Sequence, residues 1–210
     1  MSDFYNKFWI DQQTHEMADF PYKWPVISKL IPKTPNLTIL DYGTGSGIVM
    51  AEMKKINPKS KYIGMDVSKS GLKMAKKRHK TSKFYEVKDG GRLPLKDKSV
   101  DFILAADVIE HAFYTEKLLS ELSRVLKPGG KILLSTPYHG LIKNLIIVIV
   151  GFEKVFNPTE AHIRFFTKKS LFPMMEKVNL KIEKYGYFGR FYPISNGIYV
   201  LATKINSKSL

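Results

Sequence analysis

Apolar and polar positions change rhythm repeatedly along the chain, and each change marks a predicted element. "LTILD" (37–41) is a short apolar run ending in an acid and reads as a strand, followed by a helix over 46–56. "KYIGMDV" (61–67) is strand-like, 69–80 is a basic helix, and "KFYEV" (83–87) is a third strand before a polar loop to Lys98. "VDFILAAD" (100–107) is continuously apolar up to its final acid, as expected of a strand covered on both faces. Leu118, Leu119, Leu122, Val125 and Leu126 fall at helical spacing within 115–126. "KPGG" ends that helix, and "KILLSTP" (131–137) resumes as a strand. Strands alternating with helices predict an α/β fold with a mostly parallel sheet and helices on both faces.

The tail departs from this alternation. After a predicted helix over 168–178, "LKIEKYGYFG" and "GIYVLATK" are both extended, and only "RFYPISN" separates them. That linker is too short for a crossover helix, so the pair is expected to close the sheet as an antiparallel hairpin. With no repeat or linker, 1–210 reads as a single domain. Residues 1–35 form an aromatic-rich cap, 36–140 a ligand-binding half, 141–167 an insert, and 168–210 the final helix and strands.

Composition narrows the setting. The chain of 210 residues has no cysteine, which excludes disulfides and thiolate metal sites and suits a reducing cytoplasm. The opening "MSDFYNKFWID" carries acids and lacks a long apolar core, so it does not read as a signal peptide. "LIKNLIIVIVGF" (141–152) is shorter than the roughly 20 residues a bilayer span needs. The net charge is +15, which admits nucleic acid, anionic lipid or a phosphorylated substrate as a partner. Of the 34 basic residues, however, 29 are lysines, which lack the planar fork that grips phosphate or guanine. A lysine-rich solvated surface explains most of that charge.

Gly43, Gly45 and Gly47 make a GxGxG loop after the first strand, where open α/β sheets bind ligands. Glycine spacing alone does not name the ligand, but Asp41 does more. A carboxylate beside a pyrophosphate would cost several kcal/mol at an effective dielectric of about 20. The same carboxylate favours a cationic, phosphate-free ligand such as S-adenosylmethionine. Asp66, at the end of the second strand, suits the two ribose hydroxyls, and Asp89 in "KDGGRLPL" suits the adenine amino group. Each acid alone would pass for a turn or helix cap; three in register with a glycine loop are harder to explain that way.

These motifs resemble the class I S-adenosylmethionine-dependent methyltransferases, near the ubiquinone-biosynthesis O-methyltransferases and other small-molecule enzymes. "ILDYGTGSG", "YIGMDVS", "VKDGGRLPLKDKSVDFILAADVIEH" and "RVLKPGGKILLSTP" carry the resemblance, which covers roughly residues 35 to 205. It implies a Rossmann-like seven-stranded sheet with a carboxyl-terminal antiparallel pair. It also implies S-adenosylmethionine as cofactor. Asp41, Tyr42, Gly43, Thr44, Gly45 and Gly47 would hold its methionine part, Asp66 and Val67 the ribose, and Asp89 and Gly90 the adenine. Ala106 and Asp107 would also contact the cofactor, with Asp107 facing the methyl-transfer site. Lys88 departs from the pattern, since relatives usually carry glycine there.

Methyl transfer to a hydroxyl needs alignment, water exclusion and a base for the released proton, most often histidine. His111, His139 and His162 all fall in carboxyl-end loops, and His139 in "TPYHG" is the favoured base, with His111 and Asp107 as further catalytic candidates. Tyr138, His162 and Arg164 are candidate acceptor contacts. Glu110 and His111 alone do not make a metal site, and none is expected. The six aliphatics Leu145 to Val150 read first as a helix buried against the sheet or a dimer partner, and second as a lid or membrane foot.

The expected partner is therefore a small-molecule acceptor, for a monomer or homodimer with peripheral membrane contact through 141–152 as an option. Nucleic acid fits poorly. "DVIE" stands where adenine methyltransferases carry an Asn/Asp-Pro-Pro-aromatic tetrapeptide, and no cysteine is present for C5 methylation. A non-catalytic cofactor-binding protein and a nicotinamide dehydrogenase are the remaining rivals.

Overall fold

The computed structural model describes residues 2–11, 20–157 and 162–206. Positions 12–19 of the cap, 158–161 of the insert and 207–210 of the tail lie outside the described residues. Strands β1 (Thr38–Tyr42), β2 (Lys61–Asp66), β3 (Lys83–Glu86), β4 (Val100–Ala106) and β5 (Leu126–Pro137) pair in parallel, as the alternating pattern requires. Two further strands, β6 (Leu180–Phe188) and β7 (Gly197–Lys204), pair antiparallel with each other, and β7 pairs antiparallel with β5. Among the described residues the sheet has seven strands in the order β3-β2-β1-β4-β5-β7-β6. The predicted fold class and terminal hairpin are both observed. Strand order reverses between β1 and β4, and a crevice for ligands opens at the carboxyl ends of such a pair.

Alternate residues of each central strand feed two cores. Leu40, Ile103 and Leu134 face helices α5 (Thr115–Val125) and α7 (Lys168–Glu176), which contribute Leu119, Leu122, Leu171 and Met175. Ile39, Leu104 and Leu133 face α3 (Ile48–Ile56) and α2 (Phe20–Ile27) through Met50, Met53 and Ile27. Each such fully buried side chain contributes about 1.5–3 kcal/mol relative to exposure. Helix α4 (Lys69–Arg78) buries Leu72 and Ala75 and turns its lysines outward.

Two expectations need adjustment. Helix α5 stops at Val125, so Leu126 belongs to β5, which is longer than the predicted 131–137 and begins by pairing with Val100. Pro128 is the reason, because it disfavours helical backbone at Lys127. The larger correction concerns α6 (Leu141–Val150), expected first as a helix buried against the sheet or a dimer partner: it is not buried against the sheet. It buries none of its residues. Its two polar side chains, Lys143 and Asn144, are the ones tied to the protein, which leaves the aliphatics outside. No helix among the described residues is long and apolar enough to cross a membrane.

Candidate active site

The glycine loop is held by backbone bonds that only its left-handed glycines permit. Gly43 and Thr44 N–H groups both donate to Met65 O, at 2.8 and 3.0 Å, with Gly43 at φ +80°. Gly47, at φ +78°, then starts α3. Asp66 fastens this loop to β2: its Oδ2 accepts from Gly45 N at 2.8 Å and its Oδ1 from Ser68 N at 2.8 Å. Asp41 is buried beneath, accepting from Thr44 Oγ1 at 2.7 Å. Burial, reinforced by the nearby Asp66 charge and opposed by the Thr44 bond, pushes the Asp41 carboxyl up to about 7. Burial also raises Asp66, against the backbone bonds it accepts. Two carboxylates dehydrated this far gain from a cationic ligand and lose further from a phosphate. Ser46 Oγ and Tyr5 OH are buried without a hydrogen-bond partner, so the cleft also offers polar groups to a ligand. These features fit a sulfonium nucleoside. Asp89 accepts from Phe113 N at 2.6 Å, and Tyr114 packs on Gly90, where a Cβ would lie 2.6 Å from its ring. The Asp89 loop is thus locked beside the segment after β4.

The amino-terminal segment closes over this cleft. Helix α1 (Ser2–Asp11) docks on α4, with Ser70 Oγ donating to Asn6 O at 2.8 Å. Trp9 lies on the glycine loop, so a Cβ at Gly45 would stand 2.2 Å from its ring. From α2, the buried Lys23 forms an ion pair with Asp107. Asp107 sits at φ +52°, unusual for a non-glycine residue, and also accepts from Ser135 Oγ at 3.0 Å. Tyr5, Trp9 and Lys23 were not among the sequence-derived candidates. The aromatic richness of residues 1–35 announced a cap, but nothing distinguishes Lys23 from the other 28 lysines except its place in the fold.

Just past β4, Glu110 is buried and its Oε2 accepts from Thr136 Oγ1 at 3.0 Å. His111 Nε2 stands 3.9 Å from Glu110 Oε1. The His111 ring lies 4.8 Å from that of His162 and 5.6 Å, edge-on, from Tyr5. Glu110 O accepts from both Ile163 N and Arg164 N at 3.0 Å, which is how the insert brings His162 here. Glu110, His111 and His162 set one ligand atom each within 4.8 Å of one another, adding a third residue to the adjacent pair visible in the sequence.

His139 is elsewhere. It is buried, with Nδ1 3.2 Å from Asn144 Oδ1 and its ring 4.6 Å from that of Phe165, and burial pushes it down to about 4. Tyr138 joins a tyrosine cluster, 4.9 Å from Tyr187, and burial raises its hydroxyl to about 12. Arg164 donates to Phe113 O at 3.0 Å and lies over the Phe113 ring at 5.6 Å. The structure therefore brings His111 and His162 together beside Glu110, holds Asp107 between Lys23 and Ser135, and sets Tyr138 and His139 under α6.

Comparison with known proteins agrees with this geometry. Residues 40–134 match the family model described as a methyltransferase domain. A ubiquinone biosynthesis O-methyltransferase of Pelagibacter ubique is 28% identical over 155 residues, covering 71% of this chain and 63% of that protein. A malonyl-[acyl-carrier protein] O-methyltransferase of Marinomonas sp. is 33% identical over 114 residues, covering 53% and 42%. The crystal structure of an S-adenosylmethionine-dependent methyltransferase from Aquifex aeolicus superposes with a TM-score of 0.71 at 17% identity, over 98% of this chain and 99% of that one. The matched stretches span 21% to 64% of the lengths of the curated relatives. Residues 40–134 thus match a methyltransferase domain, and the chain has the fold of the S-adenosylmethionine-dependent methyltransferases, enzymes whose cofactor is S-adenosylmethionine.

Proposed function

We propose that this domain transfers a methyl group to a hydroxyl of a small aromatic, lipid-like or sugar acceptor, with His111 taking the proton. The observation that carries the reading is the contact of His111 with the buried Glu110, in the segment after β4 that Asp107 begins. The bound cofactor supplies an electrophilic methyl on a sulfonium, so the protein has to align, exclude water and accept a proton. Asp41, Asp66 and the glycine loop hold the donor, while α1 and Trp9 cover it. Asp107, fixed by Lys23 and Ser135, borders the space where the acceptor oxygen would approach. His111 receives the acceptor proton, and the buried Glu110 carboxylate stabilises the imidazolium. His139, held near 4 by burial, is a poor base at neutral pH and supports the loop under α6 instead. The lack of cysteine suits a reducing cytoplasm as the place of action.

A screen of phenolic, lipid-linked and sugar hydroxyl acceptors with labelled cofactor tests this. An accepted substrate should lose roughly 100-fold or more in kcat with His111→Asn and under about 3-fold with His139→Asn. The reverse ranking, or methylation of RNA in preference to every small acceptor, overturns it.

A further inference from the structure

Helix α6 is turned inside out. Leu141, Ile142, Leu145, Ile146, Ile149 and Val150 are 44% to 80% exposed and share an arc of about 180° on its outer side. The inward side carries the polar residues. Lys143 Nζ donates to Tyr138 O at 2.7 Å and Asn196 O at 3.1 Å, and Asn144 Nδ2 donates to His139 O at 3.3 Å. Burial lowers the Lys143 ammonium to about 8, the opposite of a solvated lysine. Water-soluble surfaces are built the other way round, and a continuous aliphatic face of this kind marks an interaction site.

We infer that α6 is a foot that lies on an anionic membrane surface and meets a lipid-like acceptor there; the acceptor half of this statement rests on the function proposed above. Ten residues of helix are about 15 Å long, which suits lying in the interface rather than crossing it. Exposed aromatic residues flank the helix. Phe152 follows it at 53% exposure, and Phe191 and Tyr192 sit in the loop whose Tyr192 ring is 6.2 Å from Tyr138 at its base. Aromatic side chains at such a boundary match the headgroup region.

Charge selects the occupant. Besides the inward Lys143, residues 138–172 contain four basic residues and two acids, and the exposed Arg190 precedes Phe191. A second copy of a chain carrying +15 would be repelled, whereas phosphatidylglycerol-type headgroups would be attracted. Aromatic contacts link the helix end to the rest of the insert: Phe152 packs on Phe156 at 5.2 Å and Phe156 on Phe165 at 5.5 Å, three residues past the His162 ring that lies 4.8 Å from His111.

Co-sedimentation with vesicles of about equal parts phosphatidylglycerol and phosphatidylcholine tests the foot. The wild-type chain should partition onto them and bind pure phosphatidylcholine roughly 10-fold less. The Ile146→Asp/Ile149→Asp variant should lose roughly 10-fold or more of that partition. Calorimetry with S-adenosylhomocysteine should give both proteins the same affinity, showing an intact fold. Failure of the wild type to partition, or equal partition of the variant, overturns the inference. So does a lipid-free dimer in sedimentation velocity that the variant dissociates, because a second copy would then be the occupant. Vesicle binding with no acceptor turnover on any hydroxyl would instead count against the proposed function alone.

Discussion

The glycine loop and the insert after β5 stand at the same end of the sheet and treat polarity in opposite ways. Around the loop, carboxylates are buried and their bonds run to backbone amides and a threonine: Gly45 N and Ser68 N to Asp66, Thr44 Oγ1 to Asp41. In the insert, aliphatic side chains face outward and a lysine and an asparagine point in. The first arrangement costs desolvation, which a bound cation offsets. The second leaves apolar area in water, which a covering surface offsets. The chemistry that would complete each region differs: a small cationic nucleoside for one and, on the inference drawn above, an apolar and anionic boundary for the other.

Substitutions separate the two regions sharply. The largest expected effect is at their junction, where His111→Asn lowers kcat by roughly 100-fold or more while cofactor affinity stays within about 3-fold, read by steady-state rates and calorimetry. Next, Asp66→Asn should weaken cofactor binding by roughly 10- to 100-fold, since charge-assisted bonds contribute about 1.5–3 kcal/mol each. Unchanged affinity would remove Asp66 from the ribose site. Lys23→Met leaves Asp107 without its buried partner and should lower unfolding stability by about 3 kcal/mol in a chemical denaturation curve.

A smaller effect is the pH dependence of Asp41. Its folded-state carboxyl lies near 7, above the ordinary carboxylate range. A raised carboxyl stabilises the ligand-free fold fully below its unfolded pKa near 4, and that contribution is lost as pH rises toward 7. Cofactor binding favours the ionised form, so affinity should rise by up to roughly 25-fold from pH 5.5 to 7.5, with proton release seen in calorimetry. Asp41→Asn should flatten both trends. Smallest of all is the effect of Ile146→Asp/Ile149→Asp on cofactor affinity, which should stay unchanged while vesicle partition falls roughly 10-fold or more.

The loop was readable in the sequence because its parts are near neighbours. Asp41 and the glycines lie within seven residues, and Asp66 ends the next strand, so strand–turn–helix spacing alone places them. The Lys23–Asp107 pair joins residues 84 positions apart, and no local pattern links them. His139 and His111 looked alike as loop histidines; only packing against Asn144 and Phe165 distinguishes the buried one. Hydrophobicity correctly placed a helix at α6 but not its orientation. Which side faced the protein was decided by Lys143 and Asn144 finding the carbonyls of Tyr138, His139 and Asn196.

Titration calorimetry of the purified chain with S-adenosylmethionine, S-adenosylhomocysteine and NAD tests the central electrostatic claim most directly. The buried Asp41 and Asp66 predict saturable binding of the two adenosyl ligands, weakened by Asp66→Asn, and no heat from the pyrophosphate compound. Silence from both adenosyl ligands, or NAD binding as tight as theirs, would contradict it.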